Sequence, residues 1–111
     1  ELIVDFLTVH GYQSIVARDG IEAVQFATTQ KPQLIIIDVQ MPKLDGLAAI
    51  KHIREVPELS KTPIIALTAL SVFGSKNECI EAGADEFIPK PVKLKYLNVV
   101  ITNLLQRNQK V

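Results

Sequence analysis

Asp38 and Thr68 each stand at the end of an apolar run and Lys90 at the end of a third short strand-like run, and together they supply an acid, a hydroxyl and an ammonium. Leu34-Ile35-Ile36-Ile37 leads into Asp38, Ile64-Ile65-Ala66-Leu67 into Thr68, and the short run Glu86-Phe87-Ile88-Pro89 into Lys90 and then Pro91. A carboxylate is a weak nucleophile, and its attack on an anionic donor brings like charges together unless cations or hydrogen-bond donors offset them. A lysine beside it supplies a cation, and a hydroxyl supplies a donor. If the three runs are neighbouring parallel strands, all three side chains reach one edge of the sheet, where α/β proteins collect their ligands. The result is an anion-handling site with its own nucleophile. Taken singly, an acid after a strand is most often a helix cap or turn former; the conjunction of three such ends favours chemistry.

The elements that must position these groups follow from periodicity. Four consecutive aliphatic residues before Asp38, three of them β-branched, suit a strand covered on both faces. Pro42 and Gly46 mark the loop that leaves it. Ahead of that strand, Glu1 to about His10 reads as a helix with Leu2, Ile3, Phe6 and Leu7 at helical spacing and Gly11 as its stop. Ser14-Ile15-Val16-Ala17 reads as a short strand. Asp19 and Glu22 have capping-box spacing, with Ile21, Val24 and Ala27 as the inward stripe of the helix they begin and Lys31-Pro32 closing it. After the Asp38 loop, Leu47, Ile50 and Ile53 share one helical face, and Lys51, Arg54 and Glu55 are placed on the outer one. Ser71 to Ala82 is expected to be the least rigid helix, because Gly74 lowers its propensity by about 1 kcal/mol relative to Ala; Gly83 stops it. A final helix begins near Val92, with Leu94, Leu97, Ile101, Leu104 and Leu105 as its apolar stripe. One helix followed by four strand–helix units implies an α/β fold with a parallel sheet and right-handed crossovers.

Composition narrows the function. A chain of 111 residues suits one domain with one core. Twelve basic and twelve acidic residues give no net charge, which argues against direct nucleic-acid binding. Cys79 is the single cysteine, so no internal disulfide forms and the reducing cytoplasm is the expected location. No apolar run approaches the roughly 20 residues that cross a bilayer, so no membrane association is expected. His10 and His52 lack a second histidine or cysteine at metal spacing and read as solvated side chains.

On these residues the chain resembles the receiver domain of two-component response regulators, and in particular the chemotaxis-regulator type. Asp38-Val39-Gln40-Met41-Pro42-Lys43-Leu44-Asp45-Gly46 is similar to the family's phosphoacceptor loop, Thr68-Ala69 to its switch hydroxyl and small neighbour, and Ala82-Gly83-Ala84-Asp85 with Phe87 and Lys90-Pro91 to its last strand. The resemblance implies a flavodoxin-like, doubly wound parallel sheet of strand order 2-1-3-4-5, with residues 1–111 forming a single receiver domain. It implies that Asp38 accepts a phosphoryl group from a sensor histidine kinase or phosphotransfer protein, and that Lys90 contacts the phosphoryl oxygens. Thr68 and Phe87 then act as the switch, changing a surface offered to a downstream protein target or attached output domain. It also implies Mg²⁺ held by Asp38 and the backbone carbonyl of Gln40, a cis Lys90–Pro91 peptide, and a signalling domain rather than an enzyme.

One family feature has no counterpart in the chain. The family's first strand ends in an acidic pair that helps to hold the cation, whereas this sequence opens on the following helix, with Glu1 and Asp5 on that helix. The expectation is that the sequence is incomplete at its N-terminus, unless another chain or a rearranged sheet fills the gap. Two other readings stay open. A degenerate receiver would dock partners without phosphorylation, although it would have no need to keep Asp38, Thr68 and Lys90 together. A flavin-binding domain would require a phosphate-cradling loop, and none follows a first strand here.

Overall fold

Capping and chain-reversal signals set several of the helix boundaries. The computed structural model describes residues 2–17, 19–39, 46–69 and 75–109. Its elements are α1 (Leu2–Val9), α2 (Gly20–Gln30), β1 (Ile35–Asp38), α3 (Gly46–Glu55), a short 3-10 helix (Pro57–Leu59), β2 (Ile64–Ala69), α4 (Ser75–Ala82), β3 (Glu86–Lys90) and α5 (Leu94–Gln109). Asp19 caps α2, its carboxylate accepting from the Glu22 N–H at 2.9 Å, as the spacing predicts. Lys31 ends the same helix in the left-handed region at φ 48°, and its N–H donates to the Ala27 carbonyl at 3.1 Å. Gly11 and Gly83 follow α1 and α4 with positive φ. Helix α5 starts at Leu94, two residues after the expected point, and α4 is described only from Ser75. The expected helical start at Ser71, and Gly74 with it, lies outside the described residues.

The three described strands form one parallel sheet in the order β1-β2-β3. Expected as the last three positions of 2-1-3-4-5, they lie in that sequence. Along β2 the side chains alternate: Ile64 and Ala66 join one core with Ala27, Ile37, Ile50 and Ile53, while Ile65 and Leu67 join the other with Ile88, Leu97, Ile101 and Leu104. The sheet is therefore covered on both faces, by α2, α3 and α4 on one side and by α1 and α5 on the other.

Ser14-Ile15-Val16-Ala17 is not a strand. Residues 12–17 have no regular structure, and Ile15 and Val16 stay 56% and 54% exposed, where a covered strand would bury them. The physical reason lies in the sheet edge. The N–H groups of Ile35 and Val39 donate to Pro63 and Leu67, so alternate peptide groups of β1 face β2 and those of Leu34 and Ile36 face the other way. No described strand pairs with that edge. A groove of about 1420 Å³ separates it from residues 11–17, lined by Leu7, Tyr12, Ile15, Ile36, Ile101 and Leu105 among others. Without a ladder to join, an apolar tetrapeptide has nothing to order it as a strand. The chain accordingly holds three described strand–helix units where four were expected.

Candidate functional site

Parallel pairing in register brings the three reactive ends together. Asp38 closes β1 opposite Leu67, Thr68 follows Leu67 on β2 opposite Pro89, and Lys90 closes β3 opposite Ala69. The Lys90 Nζ donates to Asp38 Oδ2 at 2.6 Å, with each side chain 35% exposed. This is a short, charge-assisted hydrogen bond between ends that are 52 residues apart in sequence. It lies at the open carboxyl edge of the sheet, where a third reactant has access.

Thr68 differs from its two neighbours in being wholly buried, and its Oγ1 has no hydrogen-bond partner among the described residues. Burying a hydroxyl without a partner costs about 1–3 kcal/mol, so the position carries a donor whose bond is not made in this state. Phe87 is partly buried on β3 opposite Ala66. The Lys90–Pro91 peptide is cis, as expected.

The loop after Asp38 is held at its two ends by backbone. The Gly46 N–H donates to the Val39 carbonyl at 3.0 Å, and a Cβ on Gly46 would lie 2.5 Å from both the Asp38 carbonyl oxygen and Val39 Cα. Only glycine lets α3 start so close to the end of β1. Gln40, Met41, Pro42, Lys43, Leu44 and Asp45 lie outside the described residues, and so therefore does the carbonyl expected to ligate Mg²⁺. No group of three or more His, Cys, Asp or Glu that could hold a metal occurs among the described residues. Asp5 is exposed on α1, and Asp38 Oδ2 is already engaged by Lys90. Mg²⁺ demands a near-octahedral set of oxygens. The described residues do not make one.

Sequence reasoning missed Arg54. Placed there on the outer face of α3, it is instead largely buried and spends all three nitrogens on the protein. Its Nε donates to the Gly83 carbonyl, Nη1 to the Leu59 carbonyl and Nη2 to Asp85 Oδ2, each at 2.8 Å. Asp85 Oδ2 also accepts the Ile64 N–H at 2.8 Å. The available signal was Gly83, since a Cβ there would stand 2.6 Å from Arg54 Cγ, but a glycine ending a helix already has a sufficient explanation in its φ of +124°. Cys79 is buried on α4; desolvation, and secondarily Glu78, push its thiol above the usual range, which fits a packed side chain better than a reactive one. His52 is exposed, 3.6 Å from Glu55, and His10 faces the Phe6 carbonyl at 3.0 Å.

Comparison with known proteins converges on one family. The family model of the response regulator receiver domain matches residues 1–102. Response regulator MprA of Mycobacterium leprae is 35% identical over 103 residues, a match covering 93% of this chain and 44% of that protein. The polar-differentiation response regulator DivK of Brucella anthropi is 33% identical over 94 residues, covering 85% of this chain and 76% of the relative. The chain thus spans less than half the length of the first of these relatives. Among solved structures, the signal receiver domain of a histidine kinase from Syntrophus aciditrophicus superposes with a TM-score of 0.90 at 37% identity, covering 99% of this chain and 83% of the other. The receiver domain of a sensor histidine kinase from Pseudomonas aeruginosa, solved with a magnesium ion coordinated in its active site cleft, gives 0.87 at 33% identity, covering 95% and 86%.

Proposed function

Because the chain belongs to the response regulator receiver domain family and has its flavodoxin-like α/β fold, we propose that Asp38 accepts a phosphoryl group from a sensor histidine kinase or phosphotransfer protein, and that the transfer switches a partner-binding surface. The observation that carries this reading is the Lys90 ammonium 2.6 Å from the Asp38 carboxylate, at the sheet edge that also holds the buried, unbonded Thr68 hydroxyl. An Asp38 oxygen attacks the phosphorus of a phosphohistidine whose ring is protonated at its other nitrogen, the P–N bond breaks, and the ring leaves as neutral imidazole. Lys90 offsets the charge of the incoming phosphoryl oxygens. Once formed, the acyl phosphate adds charge and acceptor oxygens in front of Thr68, whose hydroxyl gains the partner it lacked. Movement of Thr68 toward the phosphoryl group vacates space into which Phe87 turns, and the surface around α4 and β3 changes shape.

The solved Pseudomonas receiver domain carries Mg²⁺ in its cleft. For this chain Mg²⁺ is a proposed ligand that Asp38 and the backbone carbonyl of Gln40 would help to hold, supplying positive charge beside the carboxylate. The proposed location is the cytoplasm, in keeping with a single buried thiol, and no described helix is long and apolar enough to cross a membrane. The output is a separate protein target or an attached domain; relatives named as probable transcriptional regulators favour a role in gene control without direct DNA contact by this domain.

The test is phosphoryl incorporation from a small phosphodonor into the parent chain and Asp38→Asn, within the whole protein that bears the domain. Incorporation into the parent alone is expected. Equal incorporation into both would remove Asp38 from the role, and incorporation into neither would favour an interaction module that works without phosphorylation.

A further inference from the structure

Two polar clusters bracket β2 and β3, one at each end, and only the Asp38–Lys90 end has been given a task. At the opposite end Arg54 satisfies two carbonyls at the ends of helical turns, that of Leu59, the last residue of the 3-10 helix, and that of Gly83, just past α4, and its third donor meets Asp85. Asp85 is in turn tied to Ile64 twice, through its carboxylate at 2.8 Å and through its own N–H to the Ile64 carbonyl at 2.9 Å. The guanidinium therefore joins the 3-10 helix and the turn from α4 into β3 to the end of α3, and Asp85 carries the link on to the start of β2. A planar fork with donors in fixed directions holds such a junction as a lysine cannot. Gly83 completes it, because any side chain there would collide with the Arg54 stem.

Helix α4 lies on the stretch of chain between the two clusters. The chain leaves β2 just beyond Thr68, at the reactive edge, and α4 returns it to Gly83 at the Arg54 edge. We propose that Arg54 is a positioning residue which fixes the Gly83 end of α4, so that a displacement begun at Thr68 turns the helix about that end instead of sliding it along the sheet. The proposal rests on the phosphoryl-switch reading only for what drives the helix; the clamp itself is a property of the resting chain. A helix whose following residue is tied by its carbonyl to a largely buried cation opens from its other end first. Without the tie, both ends loosen, and α4 separates from the sheet without global unfolding.

Cys79 reports that separation, since it sits on the inner face of α4 and is 1% exposed. Its alkylation by iodoacetamide is measured in the parent, Arg54→Met and Arg54→Lys at one pH, in buffer and in low urea, beside global stability by circular dichroism. Met keeps the aliphatic stem and loses the donors; Lys keeps the charge and loses the fork. Loss of charge-assisted bonds of this kind is expected to raise labelling through local opening by roughly ten- to hundred-fold in Arg54→Met. Arg54→Lys recovers only part of that protection, and the extra labelling depends weakly on urea because little surface is exposed. A merely structural role predicts labelling that rises only in step with global unfolding and with its full urea dependence; that result, or no change, overturns the proposal. If Arg54→Met fails to fold, Arg54→Lys and Asp85→Asn carry the same comparison. A phosphodonor arm keeps the two readings apart: Cys79 labelling in the parent that ignores phosphodonor counts against the switch, while the Arg54 effect in its absence upholds the clamp.

Discussion

Replacing Thr68 by Val should stabilise the domain while disabling it. The Thr68 side chain is fully buried and its Oγ1 has no described partner, so the folded state bears the desolvation of a hydroxyl without the bond that would offset it. That penalty is about 1–3 kcal/mol. Val keeps the branched shape and the strand preference, and because the hydroxyl bonds nothing, its removal orphans no second group. A gain of about 1 kcal/mol follows, or roughly 3–6 °C in Tm for a chain of this size. Thr68→Ala removes the same hydroxyl but also a packed methyl, and the lost packing should cancel or exceed the gain. Urea titration followed by circular dichroism decides it: the Thr68→Val midpoint should rise at unchanged slope, with Thr68→Ala at or below the parent. Phosphodonor should still label Asp38 in Thr68→Val, and the partner-binding response should disappear. A Thr68→Val chain that is less stable than the parent by 1 kcal/mol or more would mean that Oγ1 has a partner, and the view of Thr68 as a donor held in reserve would fail with it.

Gly46→Ala tests the junction between β1 and α3. Its Cβ would meet backbone atoms at 2.5 Å, which cannot rotate aside as a side chain can, so a loss of about 1–3 kcal/mol and reduced phosphoryl incorporation are expected; unchanged stability by urea titration would refute the contact. Cys79 predicts a pH effect. Burial, then Glu78, raise its pKa in the fold, so its contribution to stability is full below the unfolded thiol value and is lost as pH rises through the higher folded value. Cys79→Ala should therefore lose stability less steeply than the parent over that alkaline range, and parallel curves for the two chains would contradict it.

What could be read in the sequence was local or strongly periodic. Asp38, Thr68 and Lys90 were legible because each ends a short strand-like run, and strand ends on a parallel sheet have few places to go. The Asp19 cap needed only three residues of context. Ser14–Ala17 was misread because a strand is a property of a pair: its residues have strand composition, and the described sheet offers them no neighbour. Arg54 was misread for a related reason. Helical spacing puts it beside exposed Lys51 and Glu55, yet an arginine is long enough to leave its own face, and two of its three acceptors come from positions 83 and 85, which no local window around residue 54 contains.

The hydrogen bond between Val39 and Gly46 ties the first residue of α3 to the residue that follows β1. Both partners are backbone atoms, so the spacing between Asp38 and the start of α3 is held without a side chain from either. A shift of the backbone at Asp38 therefore reaches α3 through one hydrogen bond and through a contact at Gly46 that has no side chain to absorb it.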